Sequence, residues 1–467
     1  MQAWFKSQSF TGVSASFVAA ALVCLTFVSA NEQPTGTWQE AGVLSEVRSD
    51  ATATELADGR VLVAGGANHD SVLGSAEILT ANGDVRVVAN MSTPRAGHTA
   101  TRLPDGRVLV TGGLTQGGAG TATAEIFDPT AETWTTIAMG VSRAHHTATL
   151  LTDLGVVAVA GGEVAGAPSA SIEIFDPRTE TFHPFAAPLL RARSGQAAAA
   201  LASGQVMIAG GRDSAGVLGS TEIVDVRRGW VAAGPAMISP RADATATELL
   251  DGSVLVAGGT DGARELRTAE RFTPAAGRFA EVGPMAAARR GHAAVRLPRN
   301  NGVLIVGGTR AGEPLLQAEV FEPVRGVFRL SGLTLVAHGV GVASGTGREG
   351  VAVAASGTDT AVMETHRFAT IRTVKPAYRA GEQVTIVGQG WLPGETVGLM
   401  LRAGSAAAFP LGAAVADEFG NIVNTEFAVP AGARVGSVVI SAIGSAGEAQ
   451  AAFALPGVNG VLAAGDR

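Results

Sequence analysis

Two adjacent glycines close a short apolar segment six times along this chain. The second glycines of successive pairs are 47 to 49 residues apart. The next interval of this length ends at Gly357, in a degenerate copy of the same segment. A constant period near fifty residues is typical of one supersecondary unit copied around a ring. The pairs lie at 65–66, 112–113, 161–162, 210–211, 258–259 and 307–308.

Each copy contains the signals of four short strands. In the second copy, an Asp105-Gly106 turn separates two segments rich in strand-forming residues, which indicates a hairpin. Phe127 and Trp134 mark a third and a fourth strand, and we expect these aromatic residues to fill the space between adjacent copies. The sequence therefore predicts an all-β fold: a seven-bladed β-propeller with four strands in each blade.

The ends of the repeat predict how the ring closes. Trp38 precedes Gly66 by the same interval that separates Trp134 from Gly162, so it occupies a fourth-strand position. The seventh copy, which ends near Phe368, has no fourth strand of its own. We expect the strand containing Trp38 to complete it, because closure removes exposed sheet edges.

These motifs resemble kelch repeats. The segment 98–113, HTATRLPDGRVLVTGG, together with 125–129, EIFDP, is similar to those of bacterial secreted kelch proteins akin to galactose oxidase. The resemblance implies a seven-bladed kelch propeller, a fold that carries enzymes and binding proteins alike. It also implies, for galactose oxidase itself, a copper ion held by two Tyr and two His, with one Tyr cross-linked to a Cys. This chain has one tyrosine, Tyr378, and one cysteine, Cys24, so we exclude a copper-radical oxidase.

The remainder of the chain divides by composition. Residues 1–30 read as a signal peptide that contains Cys24, and 31–369 as the kelch propeller. Residues 370–456 predict a small immunoglobulin-like β-sandwich, and 457–467 a tail. We therefore expect a secreted, periplasmic or cell-surface protein without a transmembrane segment after signal removal. A net charge of −7 without basic clusters argues against a nucleic-acid partner.

An arginine precedes the first strand of six copies, and these six are the first candidate ligand-binding residues. Arginine forks bind carboxylates, so a ring of them at one mouth would suit an acidic peptide or glycan. The alternative is that each arginine pairs with a repeated glutamate and holds its blade together. The arginines are Arg48, Arg95, Arg143, Arg193, Arg241 and Arg289; the glutamates are Glu77, Glu125, Glu173, Glu222, Glu270 and Glu319.

Three histidines break the symmetry of the copies. His98, His146 and His292 each lie three residues after an arginine, and we include them among the candidate ligand-binding residues. A turn or packing role is the alternative, and the spacing does not support a metal site. Two other copies have no such histidine. In them Asp50 and Asp243, each two residues after the arginine, add acidic groups to the rim of the predicted propeller mouth. We predict no catalytic residue, no metal and no cofactor.

These observations favour an exported, non-catalytic binding protein that recognises a peptide or glycan at the propeller mouth. If the six arginines face that mouth, the ligand is acidic. The alternative is a carbohydrate-active enzyme of the kelch superfamily, such as a sugar-acid epimerase or lyase, that uses an arginine and a histidine of the rim.

Overall fold

The computed structural model describes residues 38–80, 83–201, 204–338, 342–345, 351–355, 361–403, 408–429, 436–445 and 447–455. The predicted signal peptide and the predicted tail lie outside these residues. Within them the chain is all-β, as predicted, and its one helical element is a 3-10 turn at Pro274–Ala276. No helix in the described part is long and apolar enough to cross a membrane.

Six antiparallel sheets follow one another along the chain, and each has its four main strands in sequence order. Sheet 1 comprises Thr52–Glu55, Val61–Ala64, Ala76–Leu79 and Val85–Val88. Sheet 2 comprises Thr99–Arg102, Val108–Thr111, Thr123–Asp128 and Thr133–Ala138. Sheet 3 comprises Thr147–Leu151, Val156–Ala160, Ile172–Asp176 and Thr181–Pro184. Sheet 4 comprises Ala197–Leu201, Gln205–Ala209, Thr221–Asp225 and Trp230–Ala233. Sheet 5 comprises Thr245–Glu248, Val254–Ala257, Ala269–Thr273 and Arg278–Glu281. Sheet 6 comprises Ala293–Arg296, Val303–Val306, Glu313–Glu322 and Val327–His338.

The seventh sheet joins the two ends of the repeat region. It contains Val342–Gly345, Val351–Ala355 and Val362–Arg367, and its fourth strand is Trp38–Val43 from the N-terminal side. Trp38 pairs with His366, and their rings stack with centroids 4.8 Å apart. The pairing expected for the strand of Trp38 is therefore present.

Contacts between first strands run in a closed cycle. The first strand of each sheet contacts the first strand of the next, and that of sheet 7 contacts that of sheet 1. Short hairpins follow the second strands of three sheets. They are formed by Glu163–Val164 with Ala167–Pro168, Arg212–Asp213 with Gly216–Val217, and Thr309–Arg310 with the start of Glu313–Glu322.

Apolar side chains fill the spaces between neighbouring sheets, where the sequence places the core. Phe127 of sheet 2 is fully buried among residues of sheets 1 and 2, and its ring lies 4.9 Å from that of Trp134. Phe175 and Phe182 make the same contact in sheet 3. Burial of one such side chain contributes about 1.5–3 kcal/mol, so each junction is stabilised chiefly by apolar burial.

The double glycine is required by close approach as well as by backbone conformation. Gly112 has φ +58° and Gly113 φ +103°, a region that favours glycine. A Cβ on Gly112 would overlap the carbonyl oxygen of Arg143 and lie 2.8 Å from the imidazole Cε1 of His146. The first glycine of the pair therefore makes room for the next sheet.

The C-terminal region forms two further sheets around a core of its own. One contains Thr370–Thr373, Gln383–Gln389 and Ile422–Ala428. The other contains Phe409–Val415, Thr396–Ala403, Gly436–Ile443 and Glu448–Leu455 in spatial order. Tyr378 and Trp391 are buried in the core between them. We call residues 370–455 the C-terminal unit.

Candidate functional site

All six repeated arginines are buried, each against the glutamate of its own sheet. None is more than 1% exposed, and each guanidinium lies within ion-pair distance of its partner. The pairs are Arg48–Glu77, Arg95–Glu125, Arg143–Glu173, Arg193–Glu222, Arg241–Glu270 and Arg289–Glu319.

Arg95 illustrates the hydrogen bonds that one of these guanidinium groups makes. It donates to the carbonyl of Gly112 at 2.7 Å, to the carbonyl and the hydroxyl of Thr123, and to Glu125 at 2.8 Å. Glu125 also accepts the backbone N–H groups of Ser92 and Thr93. One pair thus connects the first glycine, the third strand and the segment before the first strand. A fully satisfied network of this kind fixes the path of the chain.

The seventh sheet has a histidine in place of the arginine. His338 lies 3.0 Å from Glu364, and both side chains are buried. The structure therefore shows the pairing that the sequence left as the alternative, and it places no arginine of the six where a ligand could reach its guanidinium. Desolvation lowers the pKa of Arg95, but the facing carboxylate opposes that shift.

The three predicted histidines connect adjacent sheets. Each accepts or donates a hydrogen bond at Nε2 with a threonine of the preceding sheet. The pairs are His98–Thr52 at 3.0 Å, His146–Thr99 at 3.1 Å and His292–Thr245 at 2.9 Å. Burial lowers the pKa of His98 and of His292 to about 3 and that of His146 well below its usual value. All three histidines are therefore neutral and buried, and each contacts the preceding sheet. The structure does not bring them together in one site.

A second ring of equivalent positions lies two residues after each arginine, and the residue there has a positive φ. It is glycine in three sheets, at Gly97, Gly195 and Gly291. It is Asp50 in sheet 1, His145 in sheet 3 and Asp243 in sheet 5, with φ between 50° and 54°. We call these six residues the rim ring. Non-glycine residues held in this conformation cost of order 1–3 kcal/mol and cluster at functional sites.

Backbone hydrogen bonds connect neighbours in the rim ring. The N–H of Gly97 donates to the carbonyl of Asp50 at 2.9 Å, and the N–H of His145 donates to the carbonyl of Gly97 at 3.0 Å. A Cβ on Gly97 would lie 2.7 Å from Cε1 of His145, so the imidazole covers this glycine. Asp50 and His145 therefore flank one glycine, and His145 is near enough to interact electrostatically with the Asp50 carboxyl.

Asp50 and His145 differ from every repeated polar residue because their side chains have no hydrogen-bond or ion-pair partner in the described part of the chain. His145 is exposed and Asp50 half-buried. Burial raises the pKa of the Asp50 carboxyl, and the positive charge that His145 can carry opposes this. An unpaired carboxyl with a raised pKa beside an imidazole is suited to acid–base chemistry.

Asp243 makes the third side chain of the rim ring. Its carboxylate covers Gly195 and accepts a hydrogen bond from Arg212, which lies in the hairpin after the double glycine of sheet 4. This bond uses one of five N–H groups of Arg212, and its side chain is 40% exposed. Arg212 therefore still presents donors to solvent beside the rim ring.

The sequence singled out Asp50 and Asp243 as rim residues but did not single out His145 or Arg212. The signal for His145 was available, because it stands where Gly97 and Gly195 stand in the neighbouring copies. A bulky residue in place of a left-handed glycine indicates a role outside the fold.

No protein-family profile matches this chain, and no curated protein does. Among solved structures, the chain is similar to a fungal alcohol oxidase of the AA5 family, in complex with copper. The two share 17% identity with a TM-score of 0.59, over 91% of this chain and 100% of the other. The likeness is one of fold, and it agrees with the all-β architecture of the described residues.

The residues present do not fit a copper–tyrosine centre. Tyr378 lies in the core of the C-terminal unit, where its hydroxyl accepts the N–H of Lys375. No three His, Cys, Asp or Glu side chains in the described ranges are grouped so that they could hold a metal ion. We derive no step through copper.

The comparison corrects the function expected from the sequence. The expectation of a non-catalytic binding protein is contradicted, because a solved structure of similar fold is that of an enzyme. Burial of the six arginines removes the acidic-ligand ring on which that expectation rested. The carbohydrate-active enzyme named as the alternative is the better supported reading.

Proposed function

We propose that this chain is an acid–base enzyme that removes the proton next to the carboxylate of a sugar acid, as an epimerase or a lyase does. The carrying observation is the departure from symmetry at the rim ring, where Asp50 and His145 replace glycine. Their side chains have no hydrogen-bond or ion-pair partner within the described ranges. What supports an enzyme over a binding protein is the fold likeness to an oxidase.

The proposal includes the architecture. The seven sheets are the blades of a kelch-type propeller over 31–369, the C-terminal unit is an immunoglobulin-like sandwich within 370–456, and residues 1–30 direct export. The first strands of the sheets contact one another in a closed cycle, and each rim-ring residue lies just before one of these strands. The proposal therefore places Asp50, His145 and Arg212, the partner of Asp243, around one substrate.

The roles follow from the environments of the three side chains. The Asp50 carboxylate is the base, since burial makes it more basic than an exposed aspartate. It takes the proton from C5 of the sugar acid, and the electron pair moves into the substrate carboxylate. Arg212 binds that carboxylate through its exposed N–H groups and stabilises the added charge.

His145 completes the reaction as the acid, because its imidazole is exposed and can carry a proton to the substrate. In a lyase, its imidazolium gives a proton to the oxygen that leaves C4 as a double bond forms between C4 and C5. In an epimerase, it returns a proton to the opposite face of C5. Both reactions begin with the same broken C5–H bond.

The test is solvent exchange at C5. We expect the mature protein in D2O to replace the C5 proton of a uronic-acid oligosaccharide with deuterium, or to form the unsaturated product, as followed by proton NMR. Asp50→Asn and His145→Gln should each lower the rate by at least about 100-fold. Arg102→Gln, which changes an exposed residue at the other end of a first strand, should leave the rate unchanged. Equal rates in all four proteins would refute these roles.

A further inference from the structure

A cleft lies at the junction between sheets 6 and 7 and the C-terminal unit. Its volume is about 370 Å³, within the usual range of small-molecule sites. Leu297, Val320 and Phe368 form an apolar wall, and Glu448 and Arg367 line the same cavity. This cleft is separate from the rim ring, none of whose residues line it.

Direct hydrogen bonds hold the two walls together. Asn300, in the turn of sheet 6, donates through Nδ2 to the carbonyls of Ala369 at 2.6 Å and Glu448 at 2.8 Å. Arg325 donates to the carbonyl of Gly444 at 3.1 Å. The cleft is therefore preformed, and a ligand need not spend binding energy on bringing the walls together.

Glu448 is the unusual member of the cleft. Glu448 is 4% exposed, and the N–H of Val324 donates a hydrogen bond to its Oε1 at 2.8 Å. Oε2 is buried and has no hydrogen-bond partner among the described residues. Burial raises the pKa of this carboxyl to about 7, and the nearby Glu322 adds to the shift. An unsatisfied buried carboxylate oxygen costs about 1–3 kcal/mol or more, which a donor group of a ligand would recover.

The other charges at the cleft are arranged differently on its two sides. Glu322 accepts hydrogen bonds from Arg325 at 2.8 Å and from Arg329 at 3.2 Å, so its carboxylate is paired within sheet 6. Arg367, at the end of the third strand of sheet 7, is exposed, and its guanidinium has no partner in the described ranges. Among the described residues, Oε2 of Glu448 therefore lacks a donor, and the Arg367 guanidinium lacks an acceptor.

We propose that this cleft is a second binding site, and that it takes a single sugar-acid unit. A ligand hydroxyl donates to Oε2 of Glu448, the ligand carboxylate receives the Arg367 guanidinium, and the apolar face of the ring packs against Leu297, Val320 and Phe368. Donation to Oε2 of Glu448, carboxylate recognition by arginine and burial of an apolar sugar face are the three contributions to affinity. The site needs no catalysis at the rim ring.

Titration calorimetry with D-glucuronate tests the site, with methyl glucoside as the ligand that lacks a carboxylate. We expect saturable binding of glucuronate that weakens at least about tenfold in Arg367→Gln and in Glu448→Gln. Methyl glucoside should bind the native protein at least about tenfold more weakly than glucuronate. Arg379→Gln, an exposed change on the same C-terminal unit, should bind as the native protein does.

The rim ring is a competing location for the same probe, and Arg212→Gln separates the two. If glucuronate binding survives in Arg212→Gln and is weakened in Arg367→Gln, the cleft is the site. If binding is absent from the native protein, or is lost in Arg212→Gln and unchanged in Arg367→Gln, the proposal for the cleft is overturned. The last of these outcomes would leave the function proposed for the rim ring intact.

Discussion

Arg95 and Glu125 form a hydrogen-bonded ion pair at 2.8 Å, and neither side chain is exposed. The same relationship recurs in six sheets, and in the seventh His338 takes the place of the arginine. Because the same buried pair is present in sheet after sheet, we assign these charges a structural role within each sheet and not a role in ligand binding.

Removal of one member of this pair should therefore destabilise the protein. We expect Arg95→Gln to lower the free energy of unfolding by about 3–5 kcal/mol, because Glu125 would remain buried without its cation. Denaturant unfolding measures the change. Arg178→Gln breaks an ion pair with Asp176 in which the arginine is 79% exposed, and it should leave the free energy of unfolding nearly unchanged. Equal costs for the two variants would contradict a structural role for Arg95.

The first glycine of each pair predicts a sharp positional contrast. Gly112→Ala combines a left-handed backbone with an overlap against the carbonyl of Arg143, and should cost roughly 2–5 kcal/mol. Gly118→Ala is the matched control, since its φ is +80° but nothing lies within 4 Å of its Cβ position. That change should cost about 1 kcal/mol. Thermal unfolding of both variants distinguishes crowding from backbone strain.

Glu448 predicts how stability depends on pH. Its pKa is about 7 in the folded protein against an ordinary value of 4.5, so the folded state keeps a proton that the unfolded state loses. The free energy of unfolding should therefore fall as pH rises from 4.5 to 7, by at most about 3 kcal/mol, and level off above 7. Glu448→Gln should remove this dependence, and should be more stable than the native protein at pH 8 but not at pH 5.

Other charged and titratable groups lie around Glu448, so the pH dependence of stability needs a control variant. They are Glu322, Arg325, Arg329, His366, Arg367 and Glu395. Glu382→Gln, an exposed change in the same unit, should leave the fall in stability between pH 4.5 and 7 unaltered, because its hydrogen bond with Lys375 lowers the Glu382 pKa and places its own effect at lower pH. A profile that is the same in Glu448→Gln and in the native protein would assign the dependence to one of the other groups.

The repeat made much of the architecture predictable. The fixed period and the turn at Asp105-Gly106 gave four strands per sheet, and the spacing of Trp38 gave the pairing with the seventh sheet. Burial was not predictable in the same way, because an arginine at a strand start can face a channel or turn inward. The spacing of Arg95 and Glu125 is compatible with both, and contacts across a sheet decide between them.

The candidate sites were less predictable, since they depend on contacts between distant segments. His145 stands beside His146, and the sequence drew attention to the buried neighbour rather than to the exposed one. Asn300 meets Glu448 across 148 residues of chain, so no local pattern signals the cleft. Departures from the repeat were informative only when the backbone conformation required at that position was also known.

The central claim is that Asp50 and His145 are present for chemistry and not for the fold. The most direct test is the free energy of unfolding of the double variant Asp50→Gly, His145→Gly, because glycine already occupies the equivalent positions at Gly97, Gly195 and Gly291. We predict that stability is unchanged or rises by up to about 1 kcal/mol at each position, as left-handed strain is relieved. A fall in the free energy of unfolding of more than about 1 kcal/mol would show that the two side chains support the fold, and would contradict the claim.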